Sequence, residues 1–253
     1  MYRVYVVFFT FLCLLTASSQ QEAKKEFTEA LSQLMTQNME MTIEIKEWSS
    51  NEKFKLKKYA VLMGQFKDVD RIKTVIQQPE KAKGITIVIE KTQGGTGIIE
   101  IYTPANGKTR KLKATPKNMA LVNSGSSISN FGNIELDNMR FDPLERERYE
   151  EKDCFKITIW DKKDDSKGKT VYLVDQRTHY IYLVTEFNVD NSEKSTTMLS
   201  NYKKVASAPN KIQPMQIIHL DSKSSKKSEI AVLQINPRPN LEEVDFEVNK
   251  LVN

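Results

Sequence analysis

The chain of 253 residues has two cysteines and two histidines. Cys13 lies in the first twenty residues and Cys154 is alone after them, so no disulfide can form within the later part and its stability has to come from a hydrophobic core. Cys154 has no histidine in its sequence neighbourhood to activate it, and it reads as a small buried filler. His179 and His219 fall in different predicted elements, a hairpin turn and the end of a strand. That spacing argues against a metal site or a nucleophile-base pair. The glycine-rich TQGGTG at 92–97 is followed by a strand pattern and no helix, so it is a hairpin turn and not a phosphate loop. Asp164-Asp165 and Glu242-Glu243 are adjacent pairs in loop or cap positions. No enzyme chemistry, cofactor or metal is expected.

Charge of one sign is also missing. The 38 Lys and Arg are interspersed with 33 Asp and Glu. The runs KKDDSKGK (162–169) and DSKSSKKSE (221–229) read as solvated hairpin loops, and no aromatic-plus-basic platform is visible, so no nucleic-acid partner is expected. Long apolar runs are absent after residue 15. The run that is present, after Arg3 and up to Leu15, is short for a membrane span and ends in Ala17-Ser18-Ser19. Residues 1–19 therefore read as a cleavable secretory signal, and the rest of the protein is expected to be soluble or at most peripheral to a membrane. Leu12 before Cys13 does not suit a lipid-attachment box.

What remains is mostly strand. Ala23, Phe27, Ala30, Leu31 and Leu34 have helical spacing, which predicts one amphipathic helix over 22–38. MEMTIEIKEW (39–48) then alternates with a period of two, and a long strand over 54–66 follows, with Gly64 as an expected bulge or bend. Further strands are expected at DRIKTVIQQ, at ITIVIE and IIEIYT around Gly94-Gly95, and at KTRKLKA after Asn106-Gly107. Residues 115–142 break the pattern and are expected to form a covering segment with one or two short helices. Alternation resumes at DCFKITIWDKK and continues through a hairpin, KTVYLVDQRTHYIYLVTEF, with its turn at Asp175–Thr178, and three later strands. A short element packing Phe246 and Leu251 closes the chain. The expectation is a mainly β, α+β fold: ten or eleven antiparallel strands in one curved sheet, a single domain over 20–253. Such a sheet twists and stays half open around a filling of side chains, a helix or a ligand.

The segments QQPEKAKGITIVIE, IIEIYTPANGKTRKL and NSGSSISNFGNIELDNMRF, followed by VYLVDQRTHYIYLVTEF and SEIAVLQINPRPNLEEVDFEVNKL, resemble in order and spacing the outer-membrane lipoprotein-sorting proteins, the LolA-like periplasmic carriers. The resemblance runs from about Pro79 to Leu251. It implies a half-open barrel, its concave face covered by helices, that carries acyl chains of a lipoprotein or lipid in an apolar cavity. Transient partners at the inner and outer membranes and a monomeric state go with that reading. Alternation assigns Ile85, Ile87, Ile89, Ile99, Ile101, Phe155, Ile157, Ile159, Tyr180, Tyr182 and Val184 to the cavity, with Leu121, Ile128, Phe131 and Met139 as the lid. The same residues could instead pack against the helix near Phe27 and Leu31. The alternative function is a signalling or assembly subunit that keeps the fold and binds a protein partner through exposed sheet edges.

Overall fold

A computed structural model describes residues 2–34, 38–48, 53–67, 69–92, 97–115, 118, 136–206 and 208–249. The expected turn at Gly94-Gly95, the lid residues Leu121, Ile128 and Phe131, and Leu251 lie outside them. The chain begins with helix α1 (Tyr2–Gln33), which is followed by strands β1 (Met39–Trp48), β2 (Phe54–Phe66), β3 (Val69–Gln78), β4 (Thr86–Thr92), β5 (Ile98–Thr103) and β6 (Lys108–Lys113). Then come β7 (Met139–Phe141), β8 (Glu145–Tyr149), β9 (Lys152–Asp161), β10 (Lys169–Asp175), β11 (Ile181–Phe187), β12 (Glu193–Val205), β13 (Ala208–Asp221) and β14 (Lys226–Pro237).

The fourteen strands form one sheet in the order β6-β5-β4-β3-β2-β1-β14-β13-β12-β11-β10-β9-β7, with β8 also on β9. The sheet is open, because β6 and β7 end its path. Most strands pair with a neighbour in sequence; β1 with β14 is the long-range exception, antiparallel from Met39↔Pro237 to Trp48↔Lys227. The strand count exceeds the expected ten or eleven mainly because of β7 and β8. β7 has three residues, and β8 reads Glu-Arg-Glu-Arg-Tyr with its first four residues exposed, so neither shows alternation. Met139, expected in the lid, begins β7 and pairs with Asp161 at the sheet edge. The helix also differs from expectation, starting at Tyr2 and stopping at Gln33.

The chain divides into two compact units. The first comprises Met1–Leu34, Glu135–Ser200 and His219–Ser225. Its helix buries Ala23, Phe27 and Ala30, spaced four and three residues apart, on one stripe that Leu34, just past the helix end, continues. The Phe27 ring lies 4.6 Å from that of Tyr172 and 5.9 Å from that of Phe141. Losing such a ring costs about 3–5 kcal/mol. Beside it, Glu26 Oε2 and His179 Nε2 are 2.8 Å apart, tying the helix to the β10–β11 turn. His219 Nδ1 and Thr197 Oγ1 are 2.9 Å apart. Burial, the largest influence on His219, disfavours its charged form and holds its pKa below the ordinary value.

The second unit comprises Met35–Ile134, Asn201–Ile218 and Lys226–Asn253. On one face of its sheet, Met39, Met41, Ile43, Ile45, Val61, Met63, Ile217, Ile230 and Val232 form a buried apolar cluster. On the opposite face, Leu62 and Val88 are covered by Phe246 from the 3-10 helix Glu243–Phe246. Gly64 is the seat of that ring and not a bulge. Its register is continuous from Met63↔Ile72 to Phe66↔Val69, while a Cβ at this position would stand 2.7 Å from Phe246 Cζ. The irregularity in β2 lies at Lys58/Tyr59. Lys73, fully buried, donates from Nζ to the carbonyl oxygens of Asp245 at 2.9 Å and Glu247 at 2.7 Å. Arg71 adds a bridge, with Nε donating to Glu90 at 3.0 Å and Nη1 to Glu243 at 2.8 Å. These contacts hold the C-terminal segment on the sheet.

Replacing Lys73 by Met keeps the apolar stem and removes the donors to two carbonyls, so Lys73→Met should lower unfolding stability by about 2 kcal/mol in denaturant titration and speed proteolysis near residue 245. Equal stability together with equal protection would refute the latch. His219 gives a pH dependence of fixed sign. Its folded pKa lies below the unfolded value, so as pH falls below about 6.5 the unfolded chain takes up a proton first and stability declines. His219→Gln should flatten the stability curve between that pH and the folded pKa, and an unchanged slope would contradict the assignment.

Candidate functional site

In the second unit, register partners align one apolar side chain from each of six adjacent strands: Met39↔Met63, Met63↔Ile72, Ile72↔Ile89, Ile89↔Ile99 and Ile99↔Leu112. Directly opposed residues of an antiparallel pair project to the same side, so these six form a row across the strands. At the usual strand spacing the row spans about 24 Å. A second row lies two residues along, through Met41↔Val61, Val61↔Thr74, Thr74↔Ile87 and Ile87↔Ile101. Of the expected residues, Ile87, Ile89, Ile99 and Ile101 thus share this face. Ile85 precedes β4 and accepts a hydrogen bond from Ile76 N at 2.9 Å. Ile89 and Ile99 are buried, whereas Ile85, Ile87 and Ile101 are half-buried.

Met39, Met41 and Met63 were not among the expected site residues. Their unbranched, polarizable side chains fit irregular apolar shapes, and the clean alternation of β1 is the sequence signal that could have found two of them. Tyr59 flanks the same cluster; burial first and Glu47 second push its pKa up to about 12, so its hydroxyl stays neutral.

The remaining expected residues lie in the first unit. Ile157 pairs with Tyr172, and Tyr172 with Val184, so the three share the side on which Tyr172 meets Phe27. Ile159 pairs with Phe141, the other ring against Phe27. Phe155 lies 6.4 Å from the His179 ring. Here the helix supplies filling for the face. Burial, and secondarily Glu186, raises the pKa of Tyr172. Tyr180 precedes β11, its carbonyl accepting from Asp175 N at 2.9 Å. Tyr182 departs from the expected face because the ladder shifts register between Leu173↔Leu183 and Val174↔Ile181, which leaves it as the extra residue. Its ring stacks at 6.4 Å on Tyr149, lies under Lys152 Nζ at 3.8 Å, and its hydroxyl is 3.4 Å from Asp175.

The polar groups beside it serve structure. Burial pushes the Asp175 carboxyl upward, but the bonds donated by Thr178 N at 2.7 Å, Thr178 Oγ1 at 2.9 Å and Arg177 N at 3.0 Å outweigh it and hold its pKa below the usual range. This carboxylate closes the β10–β11 turn. Cys154 is fully buried, and burial, then Asp175, lifts its thiol to about 11, so it is protonated at neutral pH and a poor nucleophile. Among the described residues no group of three or more His, Cys, Asp or Glu is placed to hold a metal, and no helix is long and apolar enough to cross a membrane.

This architecture is similar to known ones. A domain described as an outer membrane lipoprotein-sorting protein from Vibrio parahaemolyticus matches with a TM-score of 0.75 at 17% identity, over 91% of this chain and 98% of that one. A DUF1329 family protein from Desulfovibrio piger gives 0.76 at 13% identity, over 90% and 97%. A LolA superfamily protein from Nitrosomonas europaea gives 0.64 at 16% identity, over 89% and 97%. At these identities the likeness establishes the fold. No curated protein matches the sequence. Residues 68–253 match the model of a family described as "-like: Uncharacterized protein", and the chain belongs to that family.

Proposed function

We propose that the chain is a non-enzymatic carrier of the periplasm that holds the acyl chain of a lipoprotein or lipid and moves it toward the outer membrane. The observation that carries this reading is the apolar row Met39-Met63-Ile72-Ile89-Ile99-Leu112, one side chain from each of six consecutive strands. A fold similar to a lipoprotein-sorting domain and a LolA superfamily protein supports it.

Each methylene taken out of water contributes about 0.8 kcal/mol, so a sixteen-carbon chain in water is unfavourable by about 12 kcal/mol. A protein face made of Ile and Met removes most of that penalty. Transfer between such a face and a bilayer exchanges one apolar environment for another and is close to neutral, so it needs no nucleotide. Half-buried Ile85, Ile87 and Ile101 contact the chain together with buried Ile89 and Ile99. Phe155, Ile157, Ile159 and Val184 act by seating α1 on the first unit.

The protein-partner reading through a free sheet edge is less well supported. The edge strand β6 is Lys-Thr-Arg-Lys-Leu-Lys, and a row of charges blunts strand addition.

Native mass spectrometry of the protein isolated from the periplasm, followed by solvent extraction, should reveal a bound lipid or acylated protein. Ile87→Asp with Ile101→Asp, both at half-buried positions, should weaken uptake of a fluorescent fatty acid at least about tenfold by putting carboxylates on the face, with the circular dichroism spectrum unchanged. A folded double variant that takes up the probe as the parent does would refute the acyl-chain site.

A further inference from the structure

Where β1 and β2 end toward their connection, at Trp48 and Phe54, they carry apolar surface that is left exposed among the described residues. Phe54 is 51% exposed and Leu56 38%, two of the few large apolar side chains left open. Trp48 is the cross-strand partner of Phe54, and their rings lie 5.6 Å apart. Lysines sit directly on these rings: Lys46 Nζ is 5.8 Å from the Phe54 centroid and Lys227 Nζ 5.0 Å from that of Trp48. Pairings Trp48↔Phe54, Lys46↔Leu56 and Trp48↔Lys227 place all five on one side of the sheet. This is the face opposite Ile43 and Ile45, so the patch is separate from the apolar row.

The charge around it has one sign in excess. Segments 44–58 and 226–229 contain seven lysines and four glutamates. Two of the lysines are neutralised locally, Lys57 by Glu47 at 2.7 Å and Lys227 by Glu229 at 2.7 Å. Exposed Phe and Leu beside an amphipathic Trp, ringed by lysines whose stems are apolar and whose heads are cationic, are the chemistry of the bilayer interface. There aromatic rings settle at headgroup depth and ammonium groups meet lipid phosphates. A stacking platform for nucleic-acid bases would need open ring faces, and here lysines occupy them.

We infer that the Trp48, Phe54 and Leu56 end of the β1–β2 hairpin docks the protein on an anionic lipid surface. The rings and Leu56 enter the headgroup region while Lys46 and Lys58, on the same side of the sheet, face the lipid charge. The inference does not depend on acyl-chain carriage.

The test is cosedimentation of the secreted protein with phosphatidylcholine vesicles containing, or lacking, about one third phosphatidylglycerol. Binding should require the anionic lipid and weaken steeply with salt, since the screening length shrinks from about 10 Å at 0.1 M to about 3 Å at 1 M. It should be accompanied by a blue shift of tryptophan emission that Trp48→Phe abolishes. Phe54→Ser with Leu56→Ser should reduce binding about tenfold or more, and Lys58→Glu should reduce it by more than the roughly fivefold expected for losing one charge. All these positions are on the surface, so the variants should keep the parent melting temperature. They leave Ile87 and Ile101 intact, so fatty-acid uptake should persist. Absence of vesicle binding, as a protein partner for the patch would give, would overturn the inference. So would equal binding to neutral vesicles, or binding that the Phe54 and Leu56 substitutions leave unchanged.

Discussion

The β1–β14 ladder is the constraint on which the arrangement rests. It joins residues 39–48 to residues 227–237, almost the whole length of the strand region apart. Without it the sheet order would be two separate runs of neighbouring strands, each with an extra open edge. With it, β1 is flanked on both sides, and its Met39, Met41, Ile43 and Ile45 become the centre of the buried cluster of the second unit. The bulge between Thr42 and Ile43 adjusts the pairing so that Ile43 and Ile45 still meet Val232 and Ile230. A pairing this remote closes a long loop, and the entropy lost in closing it has to be offset by the buried cluster it completes.

The second unit uses the two sides of its sheet differently. One side is lined by aliphatic and methionine side chains in register, most of them buried in the cluster around Met41 and Ile45. The other is closed by the chain's own C-terminal segment, with Phe246 on Gly64 and Lys73 beneath two carbonyls. Farther along that side the cover ends, and aromatic and lysine side chains come to the surface at Trp48 and Phe54. In the first unit the helix provides the cover, with Phe27 as its principal contact. A buried thiol and a structurally committed carboxylate leave little there for chemistry.

The sequence shows the strands whose two faces differ. MEMTIEIKEW and DCFKITIWDKK could be read by alternation, as could the turns at Asn106-Gly107 and Asp175–Thr178, and Ile87, Ile89, Ile99 and Ile101 were correctly grouped on one face. Polar β8 carries no such signal, because its first four side chains are exposed and those residues join the sheet through their backbone. Tyr182 could not be placed because a one-residue register shift reverses a side chain's direction without leaving a trace in composition. Gly64 has the composition of a bulge, yet its role is set by a ring 182 residues later in the chain, Phe246. The same limit hid the aromatic-lysine patch: Trp48 and Phe54 are separated by polar residues, and Lys227 reaches them only through the β1–β14 pairing. The buried Lys73 lies in DRIKTVIQQ, where alternation with Ile72 would send it to solvent.

The latch on the C-terminal segment depends on backbone oxygens. Lys73 recognises the path of the chain through 245–247 and is indifferent to the side chain at 247. Mutational drift there should therefore be tolerated as long as Phe246 keeps its ring and Gly64 its missing one. A proline at 247 or an inserted residue, by contrast, would move the carbonyls and unseat the segment. The segment 245–247 is thus gripped by its main chain, which leaves the outward side chains of this stretch free to change their surface chemistry while the stretch stays anchored to the sheet beneath.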